Sequence, residues 1–439
     1  KGYLPAAQSN HAAHTLGPRG RTIHTANGLI ATSSLQTTKL ALNPQTAKKL
    51  VRLRNPAGVE VIDETGTTPA DLLHADALRG TYSRAQKHKF ATHTYMQPQE
   101  AWGRCFAKIL AGDFLQLPPV PATASLLAPL AGRSYEHQQG YALLAQLEYV
   151  VDFVHMKRFD DPLLLQILNA MRTPGGKEIS TEAWAALKRT QVVQHSSNAA
   201  EPDPRLAESL DWYEAAYEWR LVHYAMQTKA RLCARAAKKL LFLIQAVDKT
   251  AFNLTREEHE ELLAHPNVSD TKKLLGILPV YVGMEMILTE SLLPPRYTPG
   301  TRGTVIGVEP HPNERRIDDR SSVAEAGCVL LRFLPRCIYV KAVDSAENFL
   351  GKPDAVHVAG DVTREELTGV LAIAPTSRSW RFKGGSKLSL HVRRTQVPLL
   401  PRKQCSLHGL QGTTAEPGLV AHWKFPKKLS KESLWLAHY

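Results

Sequence analysis

The sequence predicts an α/β protein built on parallel sheets, and three observations support this fold class. Short apolar runs alternate with helical segments in the first third, with little hairpin signal; the middle is helical; and residues 303–392 consist of short β-prone runs between turn-rich stretches. Strand–helix–strand order favours parallel strands covered on both faces, because parallel neighbours need a crossover connection. The β-prone stretch predicts a small antiparallel module inserted into a second α/β unit.

The first α/β unit is predicted from three apolar runs and one capped helix. Residues 58–64 form an apolar run that ends in acids, which is typical of a buried strand. The Thr68-Pro69-Ala70-Asp71 segment offers a capping hydroxyl, Pro at the first helical position and an acid in the first turn, so it predicts a helix to about Lys87. Residues 105–111 and 147–154 are predicted as two further strands.

The middle of the chain predicts helices over 160–172, 181–189 and a long run from 206 to about 238. The long run carries aromatic residues at helical spacing, which are interpreted as part of the hydrophobic core: Trp212, Tyr213, Tyr217, Trp219 and Tyr224. Two strands, over 240–244 and 283–288, predict the second α/β unit, and a capping box at Thr255 starts the helix between them.

Composition limits the function classes. The 439 residues carry 54 Lys and Arg against 41 Asp and Glu, a net charge of +13 that suits a polyanionic partner. The five cysteines form no C-x-x-C pair, which disfavours a zinc ribbon or a disulfide scaffold and favours a reducing compartment. No stretch approaches the ~20 apolar residues of a membrane span, so no membrane association is expected.

The first candidate for chemistry is the acidic pair Asp63-Glu64 at the end of a predicted strand. In nucleotide hydrolysis one acid holds Mg²⁺ and its neighbour polarises the attacking water. An apolar-apolar-Asp-Glu string alone is also compatible with a strand that ends in solvated acids.

The second candidate is the segment Gly112-Asp113-Phe114-Leu115-Gln116-Leu117-Pro118-Pro119-Val120. Gly112 and Asp113 follow a predicted strand and begin a tight loop. Gln116 places a side-chain amide in this loop, and Pro118 and Pro119 restrict the backbone where the loop ends. A rigid loop with one polar side chain suits contact with a γ-phosphate.

This segment resembles motif III of the Pif family of DNA helicases, in the RecD-like branch of superfamily one. Further segments are similar in the same order: 7–13 to motif Ia, 20–26 to the G-x-T-I-H-x-A segment, 62–64 to motif II, 157–161 and 167–172 to motif IV and its downstream helix, and 396–399 with 406–414 to the entry of motif V. Three positions depart from the family pattern: Thr65-Gly66-Thr67 follows the acids, Phe159 replaces Gln, and Gly409 replaces Lys.

The resemblance implies roles for individual residues. Asp63 would coordinate Mg²⁺, Glu64 would be the general base, and Gln116 and Arg158 would contact the γ-phosphate of ATP. The remaining implied residues are Gln411 and Gly412 at the nucleotide, and Asn10, Thr22, His24, His408 and Thr414 at the DNA-facing or coupling surface.

The resemblance also implies two RecA-like parallel-sheet domains with a small β-barrel insertion in the second. The expected boundaries are 1–155 for the first domain, 156–238 for a helical connection, 239–302 with 393–439 for the second domain, and 303–392 for the insertion. The implied activity is ATP-driven 5′-to-3′ movement on single-stranded DNA and duplex unwinding, by a monomer, in repair, recombination or telomere maintenance.

No G-x-x-x-x-G-K-[S/T] phosphate loop occurs in the 439 residues. The family places that loop before motif Ia and an arginine finger in motif VI, so both are expected beyond the ends of this sequence. A finger is worth ~10³–10⁵ in rate, and the chain alone is therefore expected not to hydrolyse ATP usefully.

Two other functions remain open from the sequence: a non-catalytic nucleic-acid-binding remnant of a mobile-element helicase, and a RecA-like nucleotide switch without unwinding. The expected location is the nucleus or the mitochondrion.

Overall fold

The structure is a computed structural model, and it describes the following residues: 2–8, 12–13, 16–17, 19–29, 44–85, 102–115, 119, 124–153, 155, 157, 160–173, 178–190, 209–292, 297–314, 327–343, 368–383, 389–410, 413 and 415–422. The described residues fall into two compact units, the first within 2–190 and the second within 209–422. The fold is mixed α/β, as the sequence predicts, and both units contain parallel strand pairs.

The first unit is built on a four-stranded sheet whose strands are all parallel. Its strands are β1 (Gly2–Ala7), β2 (Arg21–Thr22), β3 (Ala57–Asp63) and β4 (Ala107–Leu110). They lie in the order β2-β1-β3-β4, so the strand that carries the acidic pair is flanked by a strand on each side. The predicted strands over 58–64 and 105–111 are confirmed as β3 and β4.

Helices of the first unit are α1 (Ile23–Asn27), α2 (Pro44–Arg54), α3 (Ala70–Ala85), α4 (Tyr135–Leu144), α5 (Pro162–Arg172) and α6 (Thr181–Thr190). Leu72 and Leu73 of α3 are fully buried in a core that also contains Ile62 of β3 and Leu143 of α4. This core fixes the strand before the acidic pair against the helix that follows it.

A buried cluster of charged side chains holds β3 to its neighbours. Glu60 of β3 accepts from Arg54 at 2.6 Å, from Arg84 at 2.6 Å and from Lys108 of β4 at 2.6 Å. Asp76 of α3 pairs with Arg54 at 3.1 Å and with Lys108. All five side chains are at least nine-tenths buried, so each charge depends on its partners rather than on water.

Asn27 connects α1 to the same cluster. Its amide nitrogen donates to Asp76 at 2.8 Å, and its oxygen accepts from Arg54. Helix α1, which contains the second half of the G-x-T-I-H-x-A segment, is therefore joined through two hydrogen bonds to the network that holds β3.

The described part of the second unit contains four sheets. Its strands are β5 (Tyr213–Ala216), β6 (Leu241–Gln245), β7 (Val247–Lys249), β8 (Ile277–Val280), β9 (Glu285–Leu288), β10 (Arg302–Glu309), β11 (Cys328–Leu331), β12 (Cys337–Ala342), β13 (Val370–Ile373), β14 (Thr376–Lys383), β15 (Ser389–Gln396), β16 (Leu399–Pro401), β17 (Gln404–Ser406) and β18 (Leu419–His422). The sheet orders are β17-β5-β18, all parallel; β11-β6-β8, mixed; β13-β12-β10-β9-β16, antiparallel; and β14-β15-β7, antiparallel.

Among its described residues the second unit also has three helices: α7 (Trp219–Ala236), α8 (Arg256–Leu263) and α9 (Leu407–Leu410). The predicted capping box is confirmed, since the Thr255 hydroxyl accepts from the Glu258 N–H while the Glu258 carboxylate accepts from the Thr255 N–H. The apolar side of α7 packs through Val222, Met226 and Ala230 into the largest core of this unit.

Two predicted elements are wrong. Residues 147–153 form no strand, and Tyr149, Val150 and Phe153 are each at least 85% exposed. Their composition is typical of a strand, but a strand needs a ladder partner, and this segment pairs with no strand among the described residues. The predicted helix over 206–238 is interrupted, because residues 213–216 form the central strand β5 and the helix begins only at Trp219.

The predicted antiparallel module is only partly correct. Strands β10, β12 and β13 lie within 303–392 and pair antiparallel, but β9 and β16 from outside that range complete their sheet. Strand β11, predicted as part of the module, instead pairs parallel with β6. A closed barrel and the domain boundaries therefore stay predictions.

All five cysteines carry free thiols. Among the described helices, none combines the length and apolar character that crossing a membrane requires.

Candidate functional site

The carboxyl ends of the four strands of the first unit lie side by side. In the ladder registers Thr22 of β2 is opposite Ala7 of β1, and Ala7 is opposite Asp63 of β3. On the other side of β3, the Ala111 N–H donates to the Ile62 carbonyl at 2.8 Å, so the chain after β4 continues beside Asp63. Ligands of open parallel sheets bind outside this edge, and three of the predicted site residues, Thr22, Asp63 and Glu64, lie along it.

Asp63 of the acidic pair ends β3, and Glu64 forms the sharp turn that follows. Glu64 has φ 55° and ψ 40°, a left-handed conformation that non-glycine residues rarely adopt. Its N–H donates to Asp63 Oδ1 at 2.9 Å, and its carbonyl accepts from the Thr67 N–H at 3.0 Å as a single 3₁₀ turn begins. Both acids are half-buried. The unusual backbone persists because the hydrogen bonds on each side hold it, a pattern found at functional sites.

The loop after β3 is packed against the loop after β4. The Thr65 N–H donates to the Ala111 carbonyl at 2.9 Å. A Cβ at Gly66 would lie 2.2 Å from the Asp113 carbonyl oxygen, and a Cβ at Gly112 would lie 2.6 Å from the Thr65 nitrogen. Only glycine fits at these two positions, and the two segments singled out from the sequence therefore meet in the structure.

Asp113 is held by an arginine from α5. Arg172 donates to the two carboxylate oxygens of Asp113 at 2.9 Å and 3.1 Å, a bidentate arrangement. Asp113 Oδ1 also accepts from the Leu115 N–H at 2.9 Å, which closes a turn at the start of the proposed γ-phosphate loop. The side chain of Asp113 is therefore used to shape this loop.

Thr22 and His24 lie at the other end of the row of strands. Thr22 caps α1, since its hydroxyl accepts from the Thr25 N–H at 3.2 Å. His24, the second residue of this short helix, is half-buried, and burial lowers the pKa of its imidazole, which favours the neutral form near pH 7. Thr25, which follows His24, is exposed, so α1 offers polar groups at the surface.

The donor set fits Mg²⁺ bound through a single protein carboxylate and a phosphate ligand. Asp63 uses one carboxylate oxygen for the Glu64 N–H, and its other oxygen has no partner among the described residues. Within the same residues no group of three or more His, Cys, Asp or Glu forms an all-protein metal site. Mg²⁺ commonly binds through one or two carboxylates plus substrate phosphates, which is compatible with Asp63.

No protein-family model matches the sequence, and no curated protein matches it. Solved structures do. Pif1 helicase from Candida albicans matches over 99% of this chain and 81% of its own, with a TM-score of 0.51 and 16% identity. Bacteroides Pif1 bound to ssDNA matches over 100% of this chain and 80% of its own, with a TM-score of 0.51 and 13% identity. Bacteroides Pif1 in complex with ADP-AlF3 and ssDNA matches over 100% of this chain and 80% of its own, with a TM-score of 0.52 and 14% identity.

The fold is similar to that of Pif1 helicases. At these identities the likeness concerns the fold and not the chemistry of individual residues. At the level of the fold, the likeness agrees with the sequence resemblance to this family.

Several predicted site residues lie outside the described residues: Asn10, Gln116, Arg158, Gln411, Gly412 and Thr414. His408 lies in α9, and its side chain is also outside the description. Of the predicted site residues, the structure brings Thr22, Asp63 and Glu64 to one sheet edge and places His24 in the helix that starts there.

Two further residues at this edge were not assigned roles from the sequence. Gln8 follows β1, and its amide oxygen is buried without a hydrogen-bond partner in the described part of the chain. Arg172 holds Asp113, although 59 residues separate them. Gln8 could have been found from its position in the motif Ia segment, but nothing in the sequence indicates which acid Arg172 contacts.

Proposed function

We propose that this chain forms the motor core of an ATP-dependent DNA helicase that moves 5′ to 3′ along single-stranded DNA and unwinds duplexes. The observation that carries this proposal is the convergence of the Asp63-Glu64 turn and the Gly112-Asp113 loop at the carboxyl edge of one parallel sheet. Nucleotides bind at such edges, and in nucleotide hydrolases an acid holds Mg²⁺ while a nearby residue orients the attacking water.

In the proposed mechanism Asp63 holds Mg²⁺ and Glu64 is the general base for the attacking water. Bound Mg²⁺ would neutralise charge on the phosphate oxygens. Asp63 ends the strand and Glu64 lies in the left-handed turn that follows, so one carboxylate would serve the metal and the other the attacking water. Gln116, Arg158, Gln411 and Gly412 are proposed to contact the nucleotide.

For DNA, Asn10, Thr22, His24, His408 and Thr414 are proposed as contacts or coupling residues. A neutral His24 can accept as well as donate a hydrogen bond. The link from α1 through Asn27 to Asp76 and Arg54 supports coupling, because it joins the helix that carries His24 to the network that holds β3. The net charge of +13 supports a polyanionic partner.

The proposal also covers the oligomeric state of the protein, the cellular process in which it acts and its location. We place the protein as a monomer in DNA repair, recombination or telomere maintenance, in the nucleus or the mitochondrion. Five free thiols are compatible with such a reducing compartment.

The test is ATP hydrolysis with and without single-stranded DNA, measured on the 439-residue chain and on the chain extended to the limits of its reading frame. The extended protein should show DNA-stimulated, Mg²⁺-dependent hydrolysis, whereas the shorter chain should not, since it contains no G-x-x-x-x-G-K-[S/T] loop. In the extended protein Glu64→Gln should abolish hydrolysis and unwinding while ATP binding stays nearly intact. Glu148→Gln, at an exposed position of the same unit, is the matched control.

Three outcomes separate the proposed functions. Unwinding by Glu64→Gln contradicts the general-base assignment. DNA binding without ATP binding in the extended protein favours the mobile-element remnant. ATP hydrolysis without strand movement or unwinding favours a nucleotide switch.

A further inference from the structure

The antiparallel sheet of β7, β15 and β14 has two faces of opposite chemistry. On one face Trp380, Phe382, Leu390 and Val392 are buried together with Leu262 of α8. Arg394, also on this face, is fully buried, and its charge is matched by Asp248, which it contacts at 2.8 Å. On this face the apolar side chains named above pack against each other and the buried charge of Arg394 is paired with Asp248.

The opposite face is exposed and cationic. Arg381 lies opposite His391, and Arg393 lies between Ser379 and Lys249 in the next row of the sheet. Arg381, Arg393, Lys249 and His391 are all exposed. The outward positions described in the three strands contain no acid; they are Val247, Lys249, Ser377, Ser379, Arg381, Ser389, His391, Arg393 and Thr395.

Arg381, Arg393 and Lys249 form no ion pair with any described acid, whereas other exposed cations of this unit do. Arg256 pairs with Glu260 at 2.9 Å, and Arg336 pairs with Glu309 at 3.1 Å. Like charges directly opposite each other in a sheet are destabilising, and Arg393 faces Lys249. An anionic partner would remove this repulsion.

We propose that this face, defined by Arg381, Arg393, Lys249 and His391 and called here the cationic sheet face, binds the phosphate backbone of single-stranded DNA. This partner rests on the proposed helicase function. Outward side chains recur every two residues, about 6.6 Å along a strand, and neighbouring strands are about 4.8 Å apart, so several cations can reach one backbone. The hydroxyls of Ser377, Ser379 and Thr395 can contact phosphate oxygens as well.

Binding at this face should not depend on base sequence. The aromatic side chains Trp380 and Phe382 point to the buried face, and none of the outward positions named above carries Phe, Tyr or Trp. Stacking is therefore absent from the interaction at these positions, and phosphate contact alone discriminates weakly between bases.

The experiment measures binding of fluorescent oligo-dT and oligo-dA to the 439-residue chain across a salt series. The triple variant Lys249→Gln, Arg381→Gln, Arg393→Gln is compared with Arg231→Gln, Arg235→Gln, Lys239→Gln. The control removes the same charge from exposed positions of α7 and the residues after it, in the same unit. Thermal unfolding of both variants verifies that the fold is retained.

The logarithm of the binding constant falls linearly with the logarithm of the salt concentration, and each phosphate contact to a single strand contributes ~0.7 to the steepness of this line. With three cations removed, the line for the cationic-face variant should be less steep by about 2. If variant and wild type bind equally at about 1 M salt, a slope difference of about 2 makes the variant bind ~100-fold more weakly at about 0.1 M salt. This loss should be the same for both oligonucleotides. The control variant should keep nearly the wild-type slope.

Each alternative outcome has a distinct meaning. Equal slopes for the two triple variants, with wild-type chain still binding DNA, overturn the cationic sheet face and leave the helicase proposal standing. Failure of the wild-type chain to bind either oligonucleotide overturns the DNA-binding part of the proposed function itself. Binding to phosphatidylserine vesicles that only the cationic-face variant loses, with DNA binding unchanged, assigns the face to an anionic surface other than DNA and overturns the proposal.

Discussion

Arg172 and Asp113 form a bidentate ion pair that joins the last turn of α5 to the loop after β4. Asp113 in turn contacts the turn of the acidic pair, because its carbonyl lies where a side chain at Gly66 would be. The helix that follows the motif IV segment is therefore connected through one loop to the Asp63-Glu64 turn. A displacement of α5 would therefore move the loop after β4 and, through its contact with Gly66, the Asp63-Glu64 turn.

The first prediction is a coupling energy between Arg172 and Asp113. The side chains are 35% and 19% exposed, so solvent screens the pair and the coupling should be about 0.5–1 kcal/mol. A double-mutant cycle with Arg172→Ala and Asp113→Ala, measured by urea unfolding, determines it. The exposed Arg256–Glu260 pair is the control and should give less than about 0.5 kcal/mol. Strict additivity at Arg172 and Asp113 would show that the pair does not hold the loop.

The second prediction concerns the backbone at Glu64. Glycine adopts φ 55° without the steric cost that a side chain brings. Glu64→Gly should therefore be more stable than Glu64→Ala by about 1 kcal/mol, as measured by urea unfolding, although both variants lose the carboxylate. Equal stabilities of the two variants would mean that the left-handed turn is not populated in solution.

Much of the first unit could be predicted from sequence because its signals are local. The apolar run that ends at the acidic pair forms β3, and Leu72 and Leu73 of the predicted helix are buried against that strand. The capping box at Thr255 depends on residues only three positions apart. Such patterns need no knowledge of the remainder of the chain.

The errors arise where partners decide the outcome. Residues 147–153 have the composition of a strand but no ladder partner among the described residues, and residues 213–216 read as part of a helix although β17 and β18 pair with them from about 190 residues and more away. The contact of Glu60 with Lys108 spans 48 residues. No periodicity encodes such pairings, so the network that positions the site could not be predicted.

The third prediction tests the contact between the two loops at Gly66. An alanine Cβ would lie 2.2 Å from the Asp113 carbonyl oxygen, and backbone on both sides would have to move. Gly66→Ala should lower the free energy of unfolding by about 1–3 kcal/mol, measured by urea unfolding. Gly2→Ala in β1 is the matched control, since nothing lies within 4 Å of its added Cβ, and it should be neutral or slightly stabilising. Equal effects of both substitutions would contradict the close approach of the loops.

The last prediction concerns acid unfolding of the first unit. Burial alone would raise the pKa of Glu60, but Lys108, Arg54 and Arg84 outweigh it and hold the pKa well below the ordinary 4.5. Asp76 behaves in the same way, since burial would raise its pKa and Arg54 with Lys108 lower it. A carboxyl whose pKa is depressed by folding stabilises the protein above its unfolded pKa, and this stabilisation is lost as the pH falls. The free energy of unfolding should therefore drop as the pH is lowered from about 5 to 3.

Glu60→Gln provides the test of this mechanism. It leaves Arg54, Arg84 and Lys108 buried with Asp76 as their one remaining acid in the cluster, and it should cost about 3–5 kcal/mol at pH 7. The variant should also show a shallower loss of stability below pH 5, because one of the two depressed carboxyls is gone. Glu260→Gln, on the exposed side of α8, should change neither quantity by more than about 0.5 kcal/mol. A Glu60→Gln protein with wild-type acid sensitivity would show that the buried cluster does not control the stability of the strand that carries Asp63.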